Sequence, residues 1–421
     1  MHRVIAALMA VTSCASIAQA QTATSPPSAN QPIFSLDRAR TIAGGTSPTI
    51  ESAAAGLRSA AAGRTIAGLR PNPQVQVQTE NIAGSGLYRG IRSAETTATL
   101  ALPIELGGKR SARIAVADSR TARAQIDAAT ALADLNLRIS QAYIVAAAAE
   151  RRVDVARQQA GIAGNAFKAA RTRVTAGAGA PIDQQRADVL RVNADVGLER
   201  AVREAEVARG NLARLIGQPI DGALDLAWFD RVGGYGPTLP FDPSGTLALA
   251  AAQADLNTAK AQVRLARSQR IPDITVSAGA RRLSQTNDTA AVIGIAIPFP
   301  LFNNGAAAVS QARAEQARAD ANRRLAIIDA EQAIASAQAE LANAAATARA
   351  AGGPGLAAAS EAARIARVGY AQGKFSQLDL LQAEQTLAET RAAFTDALAA
   401  YHDAEARLER LTAPAPELGS L

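Results

Sequence analysis

Asp183 and Asp379 hold the same place in two copies of one local pattern. Gly177 is followed by Ile182-Asp183 and Ala187, and Gly373 by Leu378-Asp379 and Ala383. Each aspartate lies just past a glycine-containing turn, where a helix should begin. A carboxylate there is favoured by the positive end of the helix dipole. Carboxylates gathered from several such turns would attract cations and repel anions. The two readings are compatible. Little else in the chain can do chemistry. Its histidines are His2 and His402, and its one cysteine is Cys14. Softer divalent metals want clustered His and Cys, so no resident metal is expected. His402, beside Tyr401, reads as a packing or surface residue. No nucleophile–base constellation is visible, so no catalytic residue and no cofactor are expected. Gly177-Ala178-Gly179 is not a phosphate loop, because no strand precedes it and no Lys-Ser/Thr follows.

The aspartates belong to a duplicated plan. Arg70-Pro71-Asn72-Pro73 returns as Arg270-Ile271-Pro272-Asp273, and Leu100 to Leu106 returns as Ile295 to Leu301, roughly two hundred residues on. Residues 35–217 form a first repeat and 246–412 a second. Between them, 218–245 is a linker rich in Gly, Pro and Asp that holds Trp228. A tail covers 413–421. Each repeat opens with helix; in the first, Ser35 to Leu69 reads as one helical stretch. A hairpin follows, at about 73–104 and again at about 272–300. Gln74-Val75-Gln76-Val77-Gln78 alternates strictly, as do Ile274, Val276 and Ala278 with Thr275, Ser277 and Gly279. The polar faces carry Thr, Ser, Gly, Ala and Gln.

A long helical stretch leaves each hairpin, turns at a glycine and returns. Lys109 to Thr175 contains no proline, which implies helix on the order of 100 Å long. In the second repeat, Gly352-Gly353-Pro354-Gly355 should interrupt the outgoing helix. The returning segments repeat every seven residues: Leu380, Leu387, Phe394, Tyr401 and Leu408, matched by Ala187, Ala194, Ala201, Ala208 and Leu215. Such heptads predict lengthwise, antiparallel coiled-coil packing. The hydrophobic fraction is 48% but aromatics are only 3%, and much of the rest is alanine, which suits long helices better than a broad core.

Arg3, the apolar run Val4 to Val11 and Ala18-Gln19-Ala20 form a signal peptide over 1–20. A Ser/Thr/Pro-rich mobile leader spans 21–34. Cleavage after Ala20 is the expected route; the alternative is lipidation at Cys14 within Val11-Thr12-Ser13-Cys14. The net charge is +7, almost all from arginine. These charges are interspersed with Asp and Glu. They read as solvated helix faces, with no nucleic-acid partner.

Four strands in two hairpins cannot close a barrel in a bilayer, because an open edge leaves backbone groups unpaired. If the hairpins span a membrane, several chains must share one barrel. A soluble β layer with one buried face is the alternative.

The duplicated plan, Ala266-Arg267 leading to Pro272, Pro298-Phe299-Pro300-Leu301-Phe302, and the Gly373, Ser376, Asp379 spacing together resemble the TolC-like outer-membrane efflux factors. Arg70-Pro71-Asn72-Pro73 and Glu105-Leu106-Gly107-Gly108-Lys109-Arg110 look most like the heavy-metal, CzcC-type branch. The resemblance implies a mainly α protein with a small β part. It implies a homotrimer in the outer membrane, with a 12-stranded β-barrel on a 12-helix periplasmic tunnel. It implies a passive, non-enzymatic exit duct for heavy-metal cations or other small toxic solutes. The implied partners are outer-membrane lipid, a periplasmic adaptor and an inner-membrane RND pump. By the same match Asp183 and Asp379 would ring a periplasmic gate, with Gln382 where some members have a second aspartate. The turns at Gly177, Gly179, Gly373, Lys374 and Ser376 would dock the adaptor. Ala180-Pro181 departs from the pattern of Ser376-Gln377, so the two turns should present different contacts. The alternatives are a drug-efflux or protein-secretion duct of the same family, or a periplasmic coiled-coil protein without a pore.

Overall fold

The computed structural model describes residues 33–233 and 243–417. The signal segment, nearly all of the leader, Cys14 and part of the linker lie outside them. Along the chain come α1 (Leu36–Thr46), α2 (Pro48–Ala67), β1 (Gln74–Glu80), β2 (Glu95–Ile104), α3 (Lys109–Thr175) and α4 (Pro181–Ile216). There follow α5 (Leu226–Phe229), α6 (Leu247–Ser268), β3 (Ile274–Leu283), β4 (Asp288–Ala296), α7 (Ala306–Ala350), α8 (Leu356–Ala371) and α9 (Gln377–Leu411).

The two hairpins merge into a single antiparallel sheet of order β1-β2-β3-β4, with β2 and β3 joining the repeats. Register sorts the side chains. Val75, Leu100, Ala278 and Ile293 share one row; Gln76, Thr99, Gly279 and Val292 share the next. On the first face Val75 is 77% exposed, Ile293 81% and Ile295 69%. Such a surface in water costs about 25 cal/mol per Å² of apolar area, so it calls for lipid. The other face carries Gln74, Gln76, Thr97, Thr99 and Ser277, which tolerate water. At Gly279 a Cβ would lie 2.0 Å from the Ala98 carbonyl oxygen, so only glycine permits this approach of β3 to β2. Among the described residues, β1 and β4 each keep one edge unpaired.

Two helix expectations need correction. The first stretch is not one helix. Ser47, extended at ψ 129°, ends α1 and caps α2, whose first residue is Pro48. Proline disfavours the helical conformation in the residue before it, and its missing N–H is harmless at the first helical position. Conversely, Gly352 to Gly355 does not interrupt the outgoing helix. The chain passes from α7 through a π-helical turn, Ala351–Gly355, into α8. The wider turn accommodates Pro354 without ending the helix. Gly352 leaves a notch for Phe394 of α9, since a Cβ there would lie 2.3 Å from the ring.

The core sits midway along the helices, where the linker wraps them. Phe34, Leu135, Ile139, Tyr143, Leu212 and Ile216 form one cluster; Ile144, Phe229, Leu398 and Tyr401 belong to a second. Hydrogen bonds pin the linker to both repeats. Tyr143 Oη donates to the Phe34 carbonyl at 2.7 Å and accepts from Asp225 N–H at 2.8 Å. Burial pushes this phenol up to about 12. Tyr401 Oη accepts from Gly233 N–H at 3.0 Å. His402 is a packing residue: 3% exposed, stacked 4.2 Å from Trp228, with Nε2 2.9 Å from the Phe229 carbonyl.

Candidate functional site

At the end of the helices farthest from the sheet lie the two repeated turns. Both are built the same way. Gly177 and Gly373 each adopt φ 71° and follow the last helical turn. The next N–H groups reach back in matching pairs. Gly177 bonds Val174 and Ala178 bonds Arg173, while Gly373 bonds Tyr370 and Lys374 bonds Gly369. This is a Schellman ending, which satisfies carbonyls that the helix leaves free and favours glycine at the left-handed position.

The helices that restart differ. Ser376 caps α9 with a full capping box. Its Oγ accepts from Asp379 N–H at 3.2 Å and donates to Asp379 Oδ2 at 2.7 Å; its own N–H donates to the same oxygen at 2.9 Å. These bonds hold the Asp379 carboxyl below its usual range. Asp379 is exposed, with one oxygen committed to the cap. In the first repeat Ala180 offers no side-chain cap and Pro181 opens α4. Asp183 is half-buried near that helix start. Its carbonyl accepts from Gln377 Nε2 at 3.4 Å, which places the two helix starts side by side. Arg173 lies 5.5 Å over the Tyr370 ring and ties the neighbouring helix ends.

Two further residues strengthen the second hairpin only. Glu384, 8% exposed, accepts a forked pair of hydrogen bonds from Arg367, whose Nη2 is at 2.9 Å. The Glu384 bonds raise the Arg367 pKa. Phe375 rests on Gly369, where a Cβ would lie 2.0 Å from the ring. Sequence reading missed these contacts. The capping box had a signal, Ser-x-x-Asp before an apolar run; the Arg367–Glu384 pair, on different helices, had none.

The junction of sheet and helices is also knit by charge. Asp273, ahead of β3, accepts from Leu106 N–H at 3.1 Å and from Lys109 Nζ at 2.7 Å. Burial pushes its carboxyl up, but the Lys109 and Leu106 bonds outweigh that and leave it lowered. Glu105 is lowered first by its hydrogen bond from Arg113.

The chain matches the family model described as outer membrane efflux protein over residues 39–218 and 245–413. It is 32% identical over 413 residues to the cobalt-zinc-cadmium resistance protein CzcC of Cupriavidus metallidurans, covering 94% of each chain. The nickel and cobalt resistance protein CnrC of the same organism is 31% identical over 280 residues, 66% of this chain and 67% of that one. In fold the chain is similar to the outer membrane protein VceC of Vibrio cholerae, with TM-score 0.72, 21% identity, and coverage of 90% of this chain and 96% of that one. The merged sheet, the duplicated helical hairpins and these likenesses agree, and the chain belongs to the outer membrane efflux protein family.

Proposed function

We propose that this chain is the outer-membrane exit duct of a tripartite efflux system and that its cargo is heavy-metal cations. One observation carries the duct: a sheet with one lipid-compatible face and one water-compatible face, open at both edges, standing on helices of which α3 alone spans 67 residues. Three copies joined edge to edge close the sheet into a 12-stranded barrel, wide enough at that strand number to hold water. The paired helical hairpins of each repeat continue the bore as a periplasmic tunnel. An adaptor and an RND pump in the inner membrane complete the path. The similarity to CzcC along the chain supports metal cations as cargo. The duct supplies no chemical step; energy and selection lie with its partners.

At the tunnel mouth, Asp183 and Asp379 form a ring of carboxylates when three chains meet. The adjacency of the two helix starts supports this. Carboxylates crowded there favour cations over anions. The turns at Gly177, Gly179, Gly373, Lys374 and Ser376 dock the adaptor, since their backbone stands clear at the far end of each hairpin.

A strain lacking its metal-efflux duct tests the whole reading. Expression of this chain with a cognate adaptor and pump should restore growth on cobalt, zinc or cadmium, and failure with all three would reject the cargo. Reconstituted in a planar bilayer, the protein should conduct with cation preference. Asp183→Ala/Asp379→Ala should reduce that preference; an unchanged reversal potential would reject the ring. A photo-crosslinker near Lys374 should capture the adaptor, and capture only from the helix middle would reject tip docking.

A further inference from the structure

The layer of helix ends just beneath the sheet carries charge that a duct does not require. Arg70, Arg110, Arg264, Arg267, Arg270 and Arg313 all lie within about 10 Å, along the helix axes, of a junction between strand and helix. Each is exposed. The carboxylates near this level are engaged elsewhere: Asp118 by Arg64, Asp273 by Lys109, Glu105 by Arg113, and Glu315 by a hydrogen bond from Gln311. Among the described residues none of the six has a carboxylate partner. Two are steadied by carbonyls instead, Arg110 Nε by Gly68 at 2.6 Å and Arg270 Nε by Asn304 at 3.1 Å.

In sequence Arg264, Arg267 and Arg270 share one stretch without acids, and Arg70, Arg110 and Arg313 lie far from it. The fold gathers them, because α2 and α6 end, and α3 and α7 begin, at the same level. The helix dipole favours Arg267, in the last turn of α6, but asks for no cation at the starts of α3 and α7. The first turns of α3 and α7 contain no acidic residue, and Arg110 sits where the helix dipole disfavours a cation.

Immediately above lies the exposed apolar band: Ile104, Ile295 at 69% exposure, Ile297, and Phe299 at 86%. That band sets the height of the hydrocarbon. The headgroup layer next to it is about 5–8 Å deep on each side. Charges within about 8–10 Å of it are only partly screened at physiological salt. A guanidinium matches a phosphate with two parallel N–H bonds, which a point charge does not.

We infer that this arginine belt binds the headgroups of anionic phospholipids in the periplasmic leaflet of the outer membrane. The inference rests on the membrane placement above, and adds a lipid class and the residues that select it. Continuity with the apolar band favours lipid over a soluble anion.

The test compares the trimer with Arg264→Gln/Arg267→Gln/Arg270→Gln. Both are placed in phosphatidylethanolamine vesicles with and without phosphatidylglycerol, and bound lipid is read by native mass spectrometry. The unaltered trimer should dissociate at a higher temperature when phosphatidylglycerol is present, and salt should shrink the difference. The variant should lose most of that shift and retain at least about threefold less phosphatidylglycerol. Arg200→Gln/Arg203→Gln/Arg214→Gln, which removes equal charge from α4, should keep both. Equal loss in the α4 variant, or full retention in the belt variant, overturns the inference. So does a belt variant that shifts the channel toward cations with its lipid response intact, since the belt would then line the bore. Should the triple variant not assemble, Arg267→Gln alone must show a smaller loss of the same sign, and no loss overturns the inference. Unchanged conductance in the belt variant separates this result from any failure of the duct itself.

Discussion

The two tip turns are the same to the backbone and different to the side chains. Gly177 and Gly373 share φ 71° and the same pair of backward hydrogen bonds. Beyond that, the first turn restarts its helix with Ala180-Pro181 and no side-chain cap. The second has a capping box, a seated Phe375 and the Arg367–Glu384 pair. Duplication preserved what chain reversal needs and let the rest diverge. A trimer therefore presents two kinds of turn in alternation, one built on proline and one on a hydrogen-bonded box. An adaptor docked at the tips, as proposed above, would meet both kinds around the ring.

Substitutions that treat the repeats unequally probe this contrast. The largest effect should come from the outgoing helices. Gly352→Leu would drive a side chain into Phe394 and cost about 3 kcal/mol or more. Gly161→Ala in α3, where a Cβ meets nothing within 4 Å, should be neutral or stabilise by about 0.5–1 kcal/mol. Heat dissociation of the trimer reads both, and equal costs would show that the π-turn is not a packing notch.

Next, Arg367→Ala strands the buried Glu384. Full isolation of such a charge costs about 3–5 kcal/mol, but Arg367 is 48% exposed, so about 2 kcal/mol is expected. Arg171→Ala, at the matching place in the first repeat, should stay within about 0.5 kcal/mol. Adding Glu384→Gln to Arg367→Ala should recover much of the loss; no recovery would mean that packing, and not charge, holds the pair.

Smaller still is the cap. Ser376→Ala should cost about 1 kcal/mol, and Ala180→Ser, three residues before Asp183, should gain a similar amount by building the missing box. Hydrogen exchange at the two helix starts would separate loss from gain. Matching changes at both turns would contradict the asymmetry.

The smallest effect is one of pH. The folded pKa of Asp379 is lowered, so its stabilisation is fully present above the ordinary carboxylate range, near about 3.9, and is lost as pH falls through the folded value. Exchange at the start of α9 should rise on acidification below that range. The start of α4 should not follow in step, and parallel behaviour would deny the box its role.

Much of this architecture was legible in the sequence. Strict alternation at Gln74 to Gln78 marked a strand with two unlike faces, and heptads from Leu380 to Leu408 marked a packed helix. These signals survive because each depends on residues close in the chain. The errors came where one residue had two outcomes. Pro48 split a stretch read as continuous, while Pro354 failed to split one read as broken. What differs is the surroundings: Ser47 caps a new helix, whereas Phe394 and the π-turn hold the old one together. The joining of β2 to β3 was not visible, because nothing local announces a strand pair drawn from two repeats. The arginine belt was likewise hidden until the fold brought four helix ends to one level. At the tip, glycine and aspartate positions could be read from the repeat; which carboxylate oxygen is committed to a cap could not.

The claim on which the rest depends is that the open edges of β1 and β4 meet in other copies and close after three. Gln76→Cys on β1 and Val292→Cys on β4, joined in intact cells by a short bismaleimide, test it directly. With both cysteines present, a denaturing gel should show two-chain and three-chain products and nothing larger, and each cysteine alone should give neither. Monomer alone, or a ladder that continues past three chains, would contradict a closed barrel shared by three.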